Sequence, residues 1–223
     1  ESILEAMERV IGSRKKRLLW HYRSRDERLI ALSNIEIYGN ALTTFPASDT
    51  PDALTHVLVP AGKNQAVATG SQNNEAVLIV QLIREHAKKN PDESLGVITF
   101  GIKHLEKLEM AVAQARRDDK ALDTWLESQT DEPFFMKNLE RVQGDERDAI
   151  IISTGYGKDA NGKMNLRWGP LTSELGRRRL NVAISRAKRR MTLVTNFTLA
   201  ELSDLKVREG TGVDLFKKFL DYM

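Results

Sequence analysis

The chain has 223 residues, 41% of them apolar and 29% charged, and a formal net charge of +3. That length suits one large domain with a sizeable core, in a composition typical of a soluble globular chain. The mild charge does not by itself imply a nucleic-acid partner, and the lack of cysteine excludes disulfides and thiolate metal sites.

Ile3, Leu4, Met7, Val10 and Ile11 recur at helical spacing, and Gly12 stops them. With the basic run 14–17 they form a leading helix and linker ahead of a core at 18–196. The core opens with a short apolar strand at 18–22, then a helix over 25–38 ended by Gly39-Asn40. Residues 43–53 read as a loop, and 55–59 as a strand closed by Pro60. Asn73 or Asn74 caps a long helix that Asn90-Pro91 breaks. A buried strand at 95–100, an amphipathic helix at 102–115 and a shorter helix at 121–126 follow. Residues 134–139 read as a strand, and 149–153 as the clearest buried strand of the chain. Asn161-Gly162 has hairpin-turn chemistry between Lys158 and Trp168. A basic helix then leads into a strand at 191–195, and helices from Leu199 and Val213 fill 197–223.

Short apolar strands alternating with helices predict an α/β fold, a parallel sheet covered on both faces. Ligands of such sheets sit at the carboxyl ends of the strands. His21, His56, His86 and His104 lack metal-ligand spacing, so no metal ligand is assigned. No apolar run reaches membrane-span length and no secretory leader is recognisable, so no membrane partner and a cytoplasmic location are expected. Opening on Glu1 instead of Met, the chain reads as an excised fragment.

The stretch Arg177–Arg190, RRRLNVAISRAKRR, holds seven basic residues and no acid. As one helix it places Leu180, Ala183, Ile184 and Ala187 on an apolar face, with Arg178, Asn181, Ser185 and Lys188 as a polar stripe. Guanidinium groups fixed beside a sheet suit phosphate, because their donors form a rigid, permanently charged fork. Such clustering is also the footprint of nucleic-acid binding. The plain alternative is a solvated basic face.

RRLNVAISRAK resembles motif VI of superfamily 1 helicases, in the branch of the nonsense-mediated-decay helicase and large bacterial relatives. Two further blocks agree, in order. Tyr22-Arg23 within WHYRSRDE resembles the element opening that family's second RecA-like domain. Gln143-Gly144-Asp145-Glu146, before the apolar run 149–152, resembles motif V. The resemblance spans nearly the whole chain and implies a RecA-like sheet lacking its own phosphate loop. It implies that Arg186 is an arginine finger for the γ-phosphate of ATP and Arg23 a second phosphate contact. Tyr22 then lies near the nucleotide, Glu146 at the ribose, and Gln143 and Gly144 form the turn linking nucleotide to nucleic acid. Arg23 paired with Asp26 or Glu27, and Glu146 with Arg147 or Arg141, are the structural alternatives.

A phosphate loop needs G-x-x-x-x-G-K-[ST]. The near-match 157–164 puts Met164 where the magnesium-binding hydroxyl belongs, so it reads as a surface hairpin. ATP and Mg²⁺ would therefore be held mainly by a first RecA-like domain of the same parent chain, and the fragment alone is expected to be inactive. The resemblance places the nucleic acid, single-stranded DNA or RNA with DNA favoured, near Thr99 and Phe100, with Ser153, Thr154 and Asn181 as phosphate contacts. Phe100 has two readings, base stacking or core packing. Asn181 also reads as a helix brace, and Trp168 as a stacking residue or a hydrophobic support. A downstream nuclease-like domain is a further expectation for the parent. The rival functions are a non-enzymatic nucleic-acid-binding module and a regulatory domain that docks on a partner ATPase.

Overall fold

A computed structural model describes residues 3–11, 19–46, 52–59, 73–157, 164, 168–203 and 206–223. Five strands form one parallel sheet: β1 (Leu54–Leu58), β2 (Leu95–Thr99), β3 (Phe135–Asn138), β4 (Arg147–Ser153) and β5 (Ala187–Thr195), in the order β1-β5-β4-β2-β3. The expected α/β class is what is found. Parallel strands need crossovers, and helices supply all but the short β3-to-β4 connection at 139–146: α3 (Asn73–Lys89), α4 (Ile102–Asp118), α5 (Lys120–Ser128) and α6 (Glu174–Ile184). Helices α1 (Ile3–Ile11), α2 (Arg28–Glu36), α7 (Leu199–Ser203) and α8 (Gly212–Tyr222) complete the chain.

Period-two alternation in β4 sorts the core. Ile150 and Ile152 point into a cluster with Leu180, Ile184, Phe216 and Trp168, beneath α6 and α8. Ala149 and Ile151 point into the opposite cluster with Ile79, Ile83, Leu108 and Val112, beneath α3 and α4. Every residue of β2 is buried, as a central strand covered on both faces requires.

Three expected elements differ. The described part of the strand expected at 18–22, residues 19–22, adds no strand to the sheet and forms only a bridge from Trp20 to Thr43. The segment is spent instead along β5, with Arg25 N–H donating to Lys188 O at 2.7 Å. The helix expected at 25–38 begins at Arg28, because Asp26 Oδ1 accepts the Arg28 N–H at 2.9 Å and turns the chain first. The basic stretch is not one helix. It ends at Ile184, Ser185 leaves helical geometry, and Ala187 starts β5. The apolar pattern there serves both elements: Leu180, Ala183 and Ile184 bury from the helix, Ala187 and Met191 from the strand. The hairpin expected between Lys158 and Trp168 lies outside the described residues, apart from Met164 and Trp168.

His86 is buried on the edge of Trp125, ring centroids 5.6 Å apart, with Nε2 2.9 Å from Glu93 O. Burial first, then the Arg190 charge, lowers its pKa from 6.5 to about 4, against a raising influence from Asp148. The folded state therefore binds fewer protons than the unfolded one between those values. Stability is fully present above about pH 6.5 and is lost as pH falls toward about 4. Melting curves across this window are expected to show a loss of about 1–2 kcal/mol by pH 5 from His86. His86→Gln is expected to flatten that slope, while an unchanged slope contradicts the assignment.

Candidate functional site

The chain stops α6 at Ser185 and turns into β5, and Arg186 sits on that turn. Arg147 N–H donates to Arg186 O at 3.2 Å, which fixes the turn at the amino ends of β4 and β5. The Arg186 guanidinium folds back on main-chain oxygens: Nε donates to Val182 O at 2.7 Å and Nη1 to Asp145 O at 3.2 Å. Nη2 approaches Ser185 Oγ at 3.5 Å. Among the described residues Arg186 forms no ion pair. Burial, then the Arg23 charge, lowers its pKa, and Glu146 and Asp145 act the other way.

Arg23 arrives from the segment running along β5, where Ser24 Oγ donates to Ala187 O at 3.2 Å. Its Nε donates to Glu146 Oε2 at 2.5 Å and its Nη1 to Ser185 O at 3.2 Å. So Arg23 pairs with neither Asp26 nor Glu27, and Glu146 with neither Arg147 nor Arg141. Asp26 takes Arg28 instead. The same positive surroundings act on His21: burial, then Arg23 and Arg186, lower its pKa from 6.5 to about 4.

The turn before β4 completes this edge. Gly144 has φ +93, a conformation that favours glycine, and both Gln143 and Gly144 are exposed. Lys137 Nζ holds the turn through Asp145 Oδ1 and Oδ2 at 2.8 and 2.7 Å. Tyr22 is 83% exposed beside Arg23. Thus three sequence blocks, the first more than a hundred residues from the other two, converge at the amino ends of the central strands. That is opposite to the carboxyl ends where ligands of such sheets were expected, because the decisive side chains hang on turns entering the strands.

A chain of charges continues from this edge. Lys188 Nζ pairs with Glu132 Oε1 and lies 3.9 Å from Glu146 Oε1. Ser94 Oγ lies between Glu132 Oε2 at 2.5 Å and Asp148 Oδ2 at 3.1 Å. Burial pushes the Glu132 carboxyl up, yet the Lys188 and Ser94 hydrogen bonds together hold it below its usual value. Arg189 pairs with Asp148 at 3.2 Å, and Arg190 with Glu93.

The carboxyl ends carry a different set. Thr99, Phe100, Ser153 and Thr154 are all fully buried. Phe100 packs edge-on to Phe216 with centroids 5.2 Å apart, and near Trp168, so base stacking gives way to core packing. Trp168 is likewise a core support, stacked on Tyr156 and touching Phe197 and Phe216. Thr99 Oγ1 donates to Gly101 O, and Thr154 Oγ1 approaches Tyr156 O at 3.4 Å. Ser153 Oγ donates to Glu75 Oε1 at 2.6 Å, and Gly155 N–H donates to the same oxygen at 2.9 Å. Because the Ser153 proton goes to Glu75, His104 Nε2, 2.6 Å away, donates to Ser153 Oγ. This places the serine between the other two, fully buried, which is bracing and not a nucleophile arrangement. Asn181 braces its helix, with Nδ2 donating to Tyr38 OH at 3.1 Å.

Beside these strand ends opens a cavity of ≈ 320 Å³, lined by Gly101, Lys103, His104, Asn138 and Tyr156 among others. His104 Nδ1 and Asn138 Oδ1 are buried without a hydrogen-bond partner. Helix α4 starts here on Gly101, which caps it with no side chain, so its first N–H groups remain available to an anion. Sequence reasoning missed Lys103, His104, Asn138 and Glu75. The readable signal was a long helix starting directly after a buried strand with Gly at its cap and Lys in its first turn.

Comparison with known proteins gives three findings. A model of the AAA domain family matches residues 1–198. The chain is 36% identical over 182 residues to the "Uncharacterized ATP-dependent helicase MG140" of Mycoplasma genitalium, covering 79% of this chain and 16% of that protein. It is 32% identical over 211 residues to the MG140 homologue of Mycoplasma pneumoniae, covering 92% and 18%. The chain thus spans less than a fifth of the length of these relatives. A solved structure, the C-terminal domain of a possible DNA helicase from Lactobacillus plantarum, aligns over 78% of this chain and 86% of that one, at 16% identity and a TM-score of 0.44.

The burial of Phe100 sets a measurable expectation. Phe100→Ala is expected to cost about 3–5 kcal/mol of folding stability, the range for emptying a buried aromatic site. Urea unfolding of the chain measures it. A loss below about 1 kcal/mol is what an exposed stacking residue gives, and it contradicts the core assignment.

Proposed function

The chain belongs to the AAA domain family, and on that premise we propose that it is the carboxyl-side motor domain of a superfamily 1 helicase or translocase. The motor uses ATP and acts on single-stranded nucleic acid, DNA being favoured. The observation that carries this reading is Arg186: a half-buried guanidinium beside a second guanidinium, held by main-chain oxygens and by no carboxylate among the described residues. A cation so placed favours an incoming anion, because the site already concentrates positive charge and spends little on neutralising it. The branch of the nonsense-mediated-decay helicase is the subfamily this reading adopts, from the three sequence blocks.

In this reading the nucleotide lies between this edge and a first RecA-like domain that holds the phosphate loop and Mg²⁺. Arg186 reaches the γ-phosphoryl oxygens, on which charge builds as the phosphoryl group transfers. Arg23 makes a second phosphate contact, Glu146 meets the ribose, and exposed Tyr22 lies at the nucleotide. Gln143 and Gly144 form the turn that moves with them, since Asp145 O is a direct acceptor for Arg186. Nucleic acid lies across the carboxyl ends, about 20 Å away by the rise of β4. There the buried Thr99, Ser153 and Thr154 shape the strand tips, and contact with phosphates falls to the uncapped start of α4 and to Lys103. Closing on ATP and reopening after hydrolysis moves the strand tips against those of the first domain.

Arg186→Ala in the full-length protein is expected to lower ATP turnover by about 10³–10⁵, the range for arginine fingers, with nucleic-acid binding retained. Arg186→Lys is expected to fail substantially, because an ammonium lacks the planar fork. Arg117→Ala, on the exposed side of α4 and bonded to Gln114, is the control. Turnover of Arg186→Ala within about threefold of the parent, far outside that range, removes the arginine-finger assignment. Separately, Lys103→Ala is expected to reduce the log–log salt slope of single-strand binding by about 0.7. An unchanged slope places the strand elsewhere.

A further inference from the structure

We propose that Lys188 is a positioning residue for triphosphate binding, taking over the Glu146 carboxylate when the γ-phosphate draws Arg23 away. The inference rests on the reading of this edge as the nucleotide site and assigns it a step of charge exchange.

Arg23 and Glu146 are spent on each other, with Arg23 Nε 2.5 Å from Glu146 Oε2. The proposed function gives each of them a part of the nucleotide. Arg23 reaches phosphate only by loosening that pair. The pair is partly screened from water, the two side chains being 21% and 37% exposed. Loosening it leaves a carboxylate short of its partner, and that cost falls on the incoming ligand.

Lys188 is placed to offset it. Its Nζ is 3.9 Å from Glu146 Oε1, the oxygen that Arg23 leaves free. That separation is at the long limit of an ion pair, so the contact is weak now and strengthens on a small approach. The ammonium is already anchored. Glu132 pairs with it, Ser94 holds Glu132, and Asp148 N–H in turn donates to Ser94 Oγ at 2.9 Å. The Lys188 carbonyl accepts the Arg25 N–H at 2.7 Å, tying the residue to the segment that carries Arg23. The other cations here are occupied differently. Lys137 is spent on Asp145, and Arg186 faces main-chain oxygens. Arg147 donates to Pro133 O and Glu146 O, not to the Glu146 carboxylate. Lys188 therefore alternates between sharing and holding Glu146, while Arg23 alternates between Glu146 and phosphate.

The test compares a non-hydrolysable ATP analogue with ADP on the full-length protein. Only the analogue presents a γ-phosphate, so only its binding needs Arg23 released. Lys188→Met, which keeps the stem and removes the charge, is expected to weaken the analogue about tenfold, within the range usual for coupled sites. ADP affinity is expected to stay within about twofold, well under one decade of affinity. In turnover, KM for ATP rises more than kcat falls. Lys188→Arg restores the preference. In a Glu146→Gln background Lys188→Met is expected to have no further effect on the analogue-to-ADP ratio, since the carboxylate it serves is gone. Lys188→Gln gives the same comparison if Lys188→Met does not fold. An unchanged ratio in the charge-removing variants, an equal loss of both nucleotides, or a full effect persisting with Glu146→Gln overturns the proposal. Arg186→Ala is run beside them. If it keeps turnover, the nucleotide-site reading itself falls. If it abolishes turnover while Lys188→Met leaves the ratio intact, only the role of Lys188 falls.

Discussion

Two guanidinium groups brought together at the amino ends of β4 and β5 are the constraint around which this edge is built. Like charges in a half-buried setting repel, and the Arg23 charge lowers the stability of the charged form of Arg186. The chain answers with acceptors that leave the charge in place. Val182 O and Asp145 O hold Arg186, and Ser185 O holds Arg23. Carbonyl oxygens orient a guanidinium without neutralising it. The one carboxylate joined to the pair, Glu146, is placed on Arg23 alone and is itself shared with Lys188. The result is a site with fixed geometry and a surplus of positive charge.

The sheet turns that local arrangement into a device with two ends. Strand β4 runs from Arg147, next to Glu146, to Ser153, and its register with β5 and β2 is continuous but for one irregularity at Arg147/Ala149. At its far end Ser153 and Gly155 bind Glu75 of α3, and His104 of α4 meets the same serine. Gly155 has φ +63, and a Cβ there would meet His104 Cγ at 2.4 Å, so only glycine lets the imidazole pack against the strand exit. A buried carboxylate tied to a strand end by two donors makes that end stiff. Between its two ends the strand is packed on both faces, by Ile150 and Ile152 on one side and Ala149 and Ile151 on the other.

Sheet class and most elements were legible because buried parallel strands have a plain signature, short apolar runs such as 95–99 and 149–152 between amphipathic helices. What was not legible has one physical origin. Leu180, Ala183, Ile184 and Ala187 fit a helical face, and periodicity cannot see that Ser185 breaks it, since helix and strand both bury those residues. Likewise 18–22 has strand composition, yet its described part, 19–22, pairs with Thr43, and the chain then runs along the start of β5. The candidate site was legible as residue identities, because Arg23, Glu146 and Arg186 stand in recognisable blocks. Their mutual contacts were not, since a pair 123 positions apart depends on the sheet order. Phe100 shows the remaining limit: a residue ending a strand has the same sequence neighbours whether its ring faces solvent or, as here, Trp168 and Phe216.

The same consideration changes the meaning of the basic stretch. Clustered arginine and lysine read as a phosphate-tracking surface, but most of these charges are committed to acids of the chain itself. Arg177 joins Glu36 and Asp214, which pins α6 to α2 and α8. Arg179 meets Glu140, Lys188 meets Glu132, Arg189 meets Asp148 and Arg190 meets Glu93. These partners lie far away in sequence, so a run without acids among its own residues looked uncompensated when it was not. Most of these pairs are part-buried, and their effect is to fix where strands and helices start. Arg186 differs from all of these in kind, because its partners are carbonyls. Within these fourteen residues five cations lock the fold through acids, while Arg186 keeps its charge un-neutralised on main-chain oxygens.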